Sequence, residues 1–271
     1  MREAGAPALS IAFWRTFLAT VVIVPVAWLR HRSAIRALTR DEWRRAVLAG
    51  AFLGLHFATW VPSLSFTSVA SSVALVCTQP VWAALMARAR GEHPARGTWL
   101  GIGVALLGAL VLTGVDLSLS ARALFGDALA LAGGVLAAAY VTVGSDARRT
   151  MSTTVYTSIC YPVAAIALLV GCLFGGQNLS HYSGHTWWIL VAITVGPQLL
   201  GHSLVNRVLR TISATTVSVT ILFEVVGATL IAWWWFGERP TAGAYPAALL
   251  ILTGVVLVVR ANRAAAAPVV D

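Results

Sequence analysis

Residues 212–260 read ISATTVSVTILFEVVGATLIAWWWFGERPTAGAYPAALLILTGVVLVVR, two apolar runs on either side of a GERP hinge at 237–240. Residues 66–114 have the same design around a GEHP hinge at 91–94, at an offset of 146 residues. The same offset aligns further pairs in the flanking runs, namely Ser72 with Ser218, Leu106 with Leu252, Gly108 with Gly254 and Leu112 with Val258. The chain is therefore predicted to contain an internal duplication.

The composition indicates a membrane protein. Of the 271 residues, 58% are hydrophobic and only 11% are charged, and the mean hydropathy is +0.81. Soluble domains carry about 25% charged residues. Several apolar runs reach the roughly 20 residues that cross about 30 Å of hydrocarbon as a helix, and the alternation of a membrane β-barrel is absent from the sequence. We predict an all-α polytopic membrane helix bundle.

Nine apolar runs are separated by charged residues or by glycine, proline and serine. The predicted spans are 8–29, 46–66, 69–88, 98–115, 123–144, 153–174, 186–206, 212–236 and 242–260. The first run contains Arg15 and lacks a small-residue cleavage site before its arginine-rich end, so it is predicted to be a retained span and not a signal peptide.

The arginines give the orientation, because cytoplasmic loops retain positive charge. All 19 basic residues are arginine, and 15 of them lie in one set of alternate loops, whereas Arg2, Arg122 and Arg239 lie in the other set. We therefore place the C-terminus in the cytoplasm and the N-terminus outside. The net charge of +9 is spread over short loops and accompanies no nucleic-acid-binding motif, so no nucleic-acid partner is expected.

This orientation makes the duplication inverted, since span 69–88 and its match 212–236 cross the membrane in opposite directions. Inverted repeats are a recurrent design of secondary transporters, in which the substrate site lies near the midplane between the halves. Span 46–66 of the first half corresponds to span 186–206 of the second half. One span precedes it in the first half, whereas two spans precede its counterpart in the second half. A first helix is therefore expected to be missing, through an internal start or a nine-span variant.

Four stretches carry a family resemblance: SIAFWRTFLA at 10–19, QPVWAALMARARGEHP at 79–94, GDALALAGGVLAAAYVTVGSDARR at 126–149 and LFEVVGATLIAWWWFGERP at 222–240. With these stretches the chain resembles a drug/metabolite transporter of the EamA type, and the resemblance covers nearly the whole chain. It implies ten helices in two five-helix repeats, each repeat ending in a helix, a Gly-Glu corner and a final helix.

The resemblance divides the chain into a first repeat at 1–116, which lacks the first family helix, and a second repeat at 117–263. A disordered tail is expected at 264–271. Val225 stands where the family often has a proline after the glutamate, so no proline kink is expected there, although Pro80 is present in the first half.

Two charged residues lie deep inside predicted spans, where burial of a charge costs from about 2.5 kcal/mol upward. At 1.5 Å per residue, Glu224 is about 18 Å and Arg15 about 21 Å from the inner ends of their spans. They lie at similar depth. They are candidates for a substrate or proton site; the alternatives are a structural ion pair or, for Arg15, snorkelling to the outer headgroups.

Other polar and aromatic residues inside the spans are candidates for substrate binding or coupling: His56, Trp60, Gln79, Trp82, Tyr140 and Gln198. His56 could titrate near neutral pH or bond a neighbouring helix. The aromatic and amide groups could line a cavity or serve packing. Gln198, His202 and Asn206 recur at four-residue spacing, which gives one polar helix face, either a vestibule or an interhelical hydrogen-bonding surface.

The two Gly-Glu corners are predicted to be structural, because they lie at membrane ends where proline breaks the helix and a carboxylate is cheaply solvated. Their residues are Gly91, Glu92, Pro94, Gly237, Glu238 and Pro240. Cys77, Cys160 and Cys172 lie in apolar runs without C-x-x-C spacing, so neither a disulfide framework nor a metal site is expected. No catalytic residue and no cofactor are predicted.

The pattern favours a secondary active transporter, working by alternating access and, by the resemblance, an exporter of small organic metabolites or drugs. An intramembrane enzyme and a structural or sensory membrane subunit remain the alternatives. The expected partners are a small organic solute and the lipid bilayer; protons are a candidate coupling ion and a homodimer a candidate assembly. The expected location is a bacterial plasma membrane.

The orientation is testable by cysteine accessibility. Single cysteines placed within 30–45 and within 146–150, in a background without the three native cysteines, should react with a membrane-impermeant maleimide from the same, cytoplasmic face. Labelling of these two ranges from opposite faces would contradict the predicted topology.

Overall fold

The computed structural model describes residues 5–113, 120–237 and 242–266, and every regular element in these ranges is helical. The elements are α1 (Ala8–Arg36), α2 (Arg40–Ser63), α3 (Val69–Val76), α4 (Gln79–Ala89), α5 (Arg96–Thr113), α6 (Ala121–Arg148), α7 (Thr153–Phe174), α8 (Gly184–Ile193), a π-helical segment (Thr194–His202), α9 (Ser203–Val208), α10 (Ala214–Ile221), α11 (Phe223–Phe236) and α12 (Ala244–Ala266). The predicted all-α membrane bundle is confirmed.

Seven helical stretches are long and apolar enough to cross a membrane, and two shorter apolar stretches, Arg96–Leu112 and Ala214–Gly227, accompany them. Each of the nine predicted spans coincides with one of these stretches. Helix α12 continues through the first three residues of the predicted tail, and the rest of that tail lies outside the described residues.

Serine begins five of the helices. In each case the serine hydroxyl accepts a hydrogen bond from the backbone N–H three residues later, which satisfies one of the free donors of the first turn. These caps are Ser68, Ser120, Ser152, Ser183 and Ser213, at the starts of α3, α6, α7, α8 and α10. Thr39 caps α2 in a reciprocal capping box with Glu42. The helix starts are therefore encoded locally.

Two predicted spans are broken in the middle. The span at 69–88 divides into α3 and α4 around Cys77 and Thr78, and the span at 212–236 divides into α10 and α11 at Leu222. In the first break Thr78 N donates to Leu75 O at 3.1 Å, and in the second Leu222 N donates to Val219 O at 3.1 Å. These three-residue turns interrupt both spans at nearly matching positions of the proposed duplication, although the second has no proline.

Two hydrophobic cores hold the bundle together. The first core joins α1 and α2 to α6 and α7, with Phe57, Tyr156 and Leu168 wholly or almost wholly buried. The second core joins α4 and α5 to α10, α11 and α12, around Ile102 and Ile251. Each core takes helices from both proposed repeats, so the repeats are interleaved in space and do not form separate cores.

Close contact of α5 with α12 depends on small residues. A Cβ atom added at Gly101 would lie 2.7 Å from the Gly254 carbonyl oxygen, and one at Gly108 would lie 2.7 Å from the Ala247 carbonyl oxygen. The residue numbers of the contacts increase along α5, from 101 to 108, while they decrease along α12, from 254 to 247. The two helices are therefore antiparallel. At the offset of 146 residues Gly101 corresponds to Ala247 and Gly108 corresponds to Gly254, so the two contacts are equivalent, as a twofold relation between the halves requires. Superposition of the complete halves stays a prediction.

Helix α2 and the matching stretch Gly184–Val208 are buried to different extents. Of the most apolar window in each, 50% of the residues are buried in α2 and 17% in Gly184–Val208. Helix α2 packs against both α6 and α7, and the described residues contain no first-half counterpart of α6. The two stretches therefore have different surroundings in the bundle.

The first Gly-Glu corner is a helix C-terminal cap. Gly91 has a φ of +83°, a left-handed conformation that glycine adopts without steric cost, and Glu92 N donates to Ala87 O at 3.0 Å. Gly237 at the second corner has a φ of +69°. Glu238 and Pro240 lie outside the described residues.

The α5–α12 contact is testable with two glycines of the same helix. Gly101→Ala should lower the thermal unfolding temperature of the detergent-purified protein, because overpacking of about 1–3 kcal/mol exceeds the gain of up to about 1 kcal/mol in helix propensity. Gly103→Ala is the control, since no atom lies within 4 Å of an added Cβ there. Equal effects of the two substitutions would contradict the close contact.

Candidate functional site

Arg15 lies inside the bundle, with only 5% of its surface exposed. Its Nε donates to Gln198 Oε1 at 2.9 Å, and its guanidinium carbon lies 4.7 Å from the centre of the Phe57 ring. Arg15 therefore joins α1 to α2 and to the π-helical segment. A cation over an aromatic face is attracted by the negative electrostatic potential of the ring.

The π-helical segment contains Pro197, which cannot donate a backbone hydrogen bond, and has the wider winding that often occurs at functional sites. Gln198 and Asn206 are fully buried. The side-chain nitrogens Gln198 Nε2, His202 Nδ1 and Asn206 Nδ2 are buried without a hydrogen-bond partner among the described residues. The polar face predicted from the four-residue spacing therefore points into the protein.

Aromatic rings from α2 and α6 surround this polar face. The Phe57 ring lies 4.9 Å from the His56 ring and 5.8 Å from the His202 ring. His56 stacks on Trp60 at 5.6 Å, and its Nδ1 donates to the Gly133 carbonyl of α6 at 2.9 Å, since a carbonyl can only accept. Tyr140, also on α6, is almost fully buried and donates to Asn206 Oδ1 at 2.8 Å.

These residues form one group, which we call the polar cluster: Arg15, His56, Phe57, Tyr140, Gln198, His202 and Asn206. Tyr161 of α7 lies at its edge, with a buried hydroxyl that is near Asn206 but outside hydrogen-bonding geometry. Four of the predicted site residues, Arg15, His56, Tyr140 and Gln198, are thus brought together from four different elements.

A second group lies at the two helix breaks. Gln79, the first residue of α4, donates through Nε2 to Ser218 Oγ of α10 at 3.1 Å. Trp82 donates to Thr78 Oγ1 at 3.0 Å within the first break. Glu224 follows the second break directly and is exposed. The hydrogen bond between Gln79 and Ser218 therefore links the broken span of one predicted repeat to that of the other.

Arg15 and Glu224 do not form an ion pair within 4 Å among the described residues, but their charges interact electrostatically. His56 and His202 also lie within electrostatic range of Arg15. Trp60 stands at the edge of the polar cluster, and its indole Nε1 is buried without a partner in the described ranges. The predicted candidates thus occupy two adjacent groups, one around Arg15 and one at the helix breaks.

A vestibule of about 620 Å³ opens at one end of the bundle. Its walls include Thr215 and Thr216 of α10 and Asn262 of α12, whose Nδ2 donates to Thr216 Oγ1 at 2.6 Å. Six residues of α10, a rise of about 9 Å, separate Thr216 from the break at Leu222. The orientation predicted from the arginines would place this end in the cytoplasm, and it stays a prediction.

The fold and both groups can now be compared with known proteins. Residues 1–114 and 124–260 match the EamA-like transporter family in two successive segments. The chain belongs to the EamA-like transporter family. The resemblance inferred from the four sequence stretches is thereby confirmed, and the protein is a multi-pass membrane transporter.

Two relatives from Archaeoglobus fulgidus, each described as an uncharacterized transporter, are 23% identical to this chain. One alignment spans 253 residues, 92% of this chain and 86% of the relative, and the other spans 260 residues, 96% and 90%. A crystal structure with 20% identity has a TM-score of 0.80 over 97% of this chain and 91% of its own. At that identity the likeness concerns the fold alone.

Sequence reasoning missed Phe57 and Tyr161 as parts of the site, because both occur in apolar runs where core packing is the ordinary role. For Tyr161 the proposed repeat contains a signal that could have identified it. At the offset of 146, His56 corresponds to His202 and Arg15 corresponds to Tyr161. Both pairs meet in the polar cluster, so polar and aromatic residues at repeat-equivalent positions converge at the centre of the EamA fold.

Within the described ranges no group of three or more His, Cys, Asp and Glu side chains could hold a metal ion. The polar cluster offers instead a cation, amide groups, two imidazoles and aromatic faces. This set can bind a small organic molecule by charge, hydrogen bonds and stacking.

The Gln79–Ser218 bond is testable by a double-mutant cycle of Gln79→Ala and Ser218→Ala. The two substitutions should couple by about 0.6–1.7 kcal/mol in unfolding free energy, the range typical of hydrogen bonds between membrane helices. Denaturation in mixed micelles measures it. A matched cycle of Gln79→Ala with Ser158→Ala, in which Ser158 bonds within α7, should be additive, and coupling equal in the two cycles would contradict the contact.

Proposed function

We propose that this EamA-family protein is a secondary active transporter that moves small organic solutes by alternating access around the polar cluster and the two helix breaks. The observation that carries the proposal is the matched pair of broken spans beside a buried polar cluster. Discontinuous helices near the midplane form the substrate and coupling-ion sites of many secondary transporters. Export from a bacterial cytoplasm, with the C-terminus inside, is the direction we propose.

The location of the breaks supports a functional role. In hydrocarbon an unsatisfied backbone group costs several kcal/mol, so departures from α-helical hydrogen bonding are tolerated only inside protein or beside water. Both breaks keep right-handed helical backbone angles and tighten locally into three-residue hydrogen bonds, at nearly matching positions. This repetition supports a binding task for the first residues of α4 and α11.

The interleaving of the repeats supports movement of one part of the bundle against the other. The first core and the second core are joined along α6, which packs against α3 and α4 as well as α2. Rocking of one core against the other would open the polar cluster alternately to the two faces of the membrane. The vestibule beside α10 would be the cytoplasmic entrance.

Glu224 is our candidate for the coupling residue. It is exposed although it follows the break in α10–α11, and it lies within electrostatic range of the buried Arg15. A carboxylate in contact with lipid would be costly, so we infer that it borders an opening into the bundle. Exchange of a proton at this carboxylate would link solute movement to a pH gradient.

The function is testable with purified protein in proteoliposomes. Counterflow of radiolabelled amino acids, carboxylic acids, amines, sugars and nucleosides, with and without an imposed pH gradient, should identify at least one solute that moves faster than in protein-free vesicles. Failure of all five classes to move under any gradient would contradict transport of small organic solutes.

Glu224→Gln keeps the shape and hydrogen bonding of the side chain and removes its titration. We expect this variant to be produced and inserted normally but to lose the dependence of flux on the pH gradient. Asp41→Asn is the control, because Asp41 is an exposed residue in the first turn of α2 that pairs only with the nearby Arg45. Unchanged pH dependence in Glu224→Gln would assign Glu224 a structural role.

A further inference from the structure

We infer that the polar cluster is an anion site, so that the transported solute carries a carboxylate or similar oxyanion which Arg15 binds. The inference rests on the proposed transport function and names the chemical class of the solute. It follows from a shortage of hydrogen-bond acceptors around the buried guanidinium of Arg15. It concerns the conformation that the structure describes.

Arg15 can be compared with Arg148, the other buried arginine of the described residues. Arg148 bonds through all three of its guanidinium nitrogens, to Asn206 O at 2.7 Å, to Thr153 Oγ1 at 2.7 Å and to the Met151 carbonyl. Arg15 bonds through Nε alone, to Gln198. Its two terminal nitrogens, which form the fork that binds carboxylates, have no acceptor in the described ranges.

Two neighbouring amides add further donors. The oxygens of Gln198 and Asn206 accept bonds from Arg15 and from Tyr140, which fixes the orientation of both amides, and their nitrogens are buried N–H donors without partners in the described ranges. Buried polar groups are ordinarily satisfied, and leaving one unsatisfied is costly. An oxyanion supplies several acceptor lone pairs and negative charge together, which neither water nor a neutral solute does.

The protein's own carboxylate does not fill this role in the described conformation. Glu224 is outside ion-pair distance of Arg15 and is exposed, while Arg15 is buried. Glu224 can therefore act on the solute site through its charge without occupying it. The acceptor position at Arg15 is left for a molecule from outside the chain.

The surroundings of the anion site fit an organic body on the solute. Phe57 and the stacked pair His56 and Trp60 form an aromatic wall beside Arg15.

The test measures binding to purified protein in phosphatidylcholine nanodiscs by calorimetry, with acetate, succinate, benzoate and phenylacetate, each paired with its amide. At least one acid should bind at least about tenfold more tightly than its amide, as expected for charge-assisted hydrogen bonds. Inorganic phosphate and phosphatidylglycerol nanodiscs form two further arms, which separate an organic acid from a free phosphate and from a lipid headgroup.

Gln198→Glu gives the sharpest variant. It is nearly isosteric, keeps an acceptor for Arg15 Nε and places a fixed carboxylate beside the guanidinium, so it should abolish the preference for acids without loss of folding. Arg15→Gln should abolish the same preference. Gln177→Glu, the same substitution in the loop after α7, is the control and should bind acids as the wild type does.

Several outcomes would overturn the inference. These are equal affinity for every acid and its amide, an unchanged preference for acids in Gln198→Glu, or selective binding of phosphate or phosphatidylglycerol in place of the organic acids. The proposed function fails separately, in the flux assay. Transport of neutral solutes without a preference for acids would leave the transporter intact and refute the anion site.

Discussion

The hydrocarbon solvent is the constraint on which the rest of this structure depends. Because lipid offers no hydrogen bonds, each backbone N–H and C=O must be satisfied within its own helix or inside the bundle. The apolar runs therefore become helices from end to end, and serine caps begin five of them. The two helix breaks lie at the buried residues Cys77 and Leu222, and the π-helical segment directs the buried Gln198 into the bundle.

Much of this architecture can be predicted from the sequence, because a segment that crosses hydrocarbon must be apolar whichever helices it packs against. All nine spans and the family follow from apolar runs and from the Gly-Glu corners. The break at Leu222 does not follow, since Val225 stands where the family often has a proline and no residue type nearby requires the local bond from Leu222 N to Val219 O. Arg15 was identified by its rarity in a span, but its partner Gln198 lies 183 residues away. That pairing depends on which helices pack together.

The duplication connects the fold to the site. The offset of 146 residues that matches α5 with α12 also matches His56 with His202 and Arg15 with Tyr161. If the two halves descend from one repeat and are related by a twofold axis, residues near that axis would face their own counterparts, and one ancestral position would supply two side chains. Divergence would then give the two side chains different chemistry. The cation at Arg15 and the phenol at Tyr161 would be such a pair, in a proposed site that is chemically asymmetric.

The two crossings of α5 and α12 have a consequence for energetics. One crossing brings Gly101 against Gly254, whereas its counterpart brings Gly108 against Ala247, with one additional methyl group. If the chain works by the proposed alternating access, two identical halves would give inward-facing and outward-facing forms of equal free energy in the absence of gradients. The methyl group at one contact and its absence at the other is one of the differences between the halves that would make these free energies unequal. Backbone packing between α5 and α12 would then help to set the side on which the empty carrier rests.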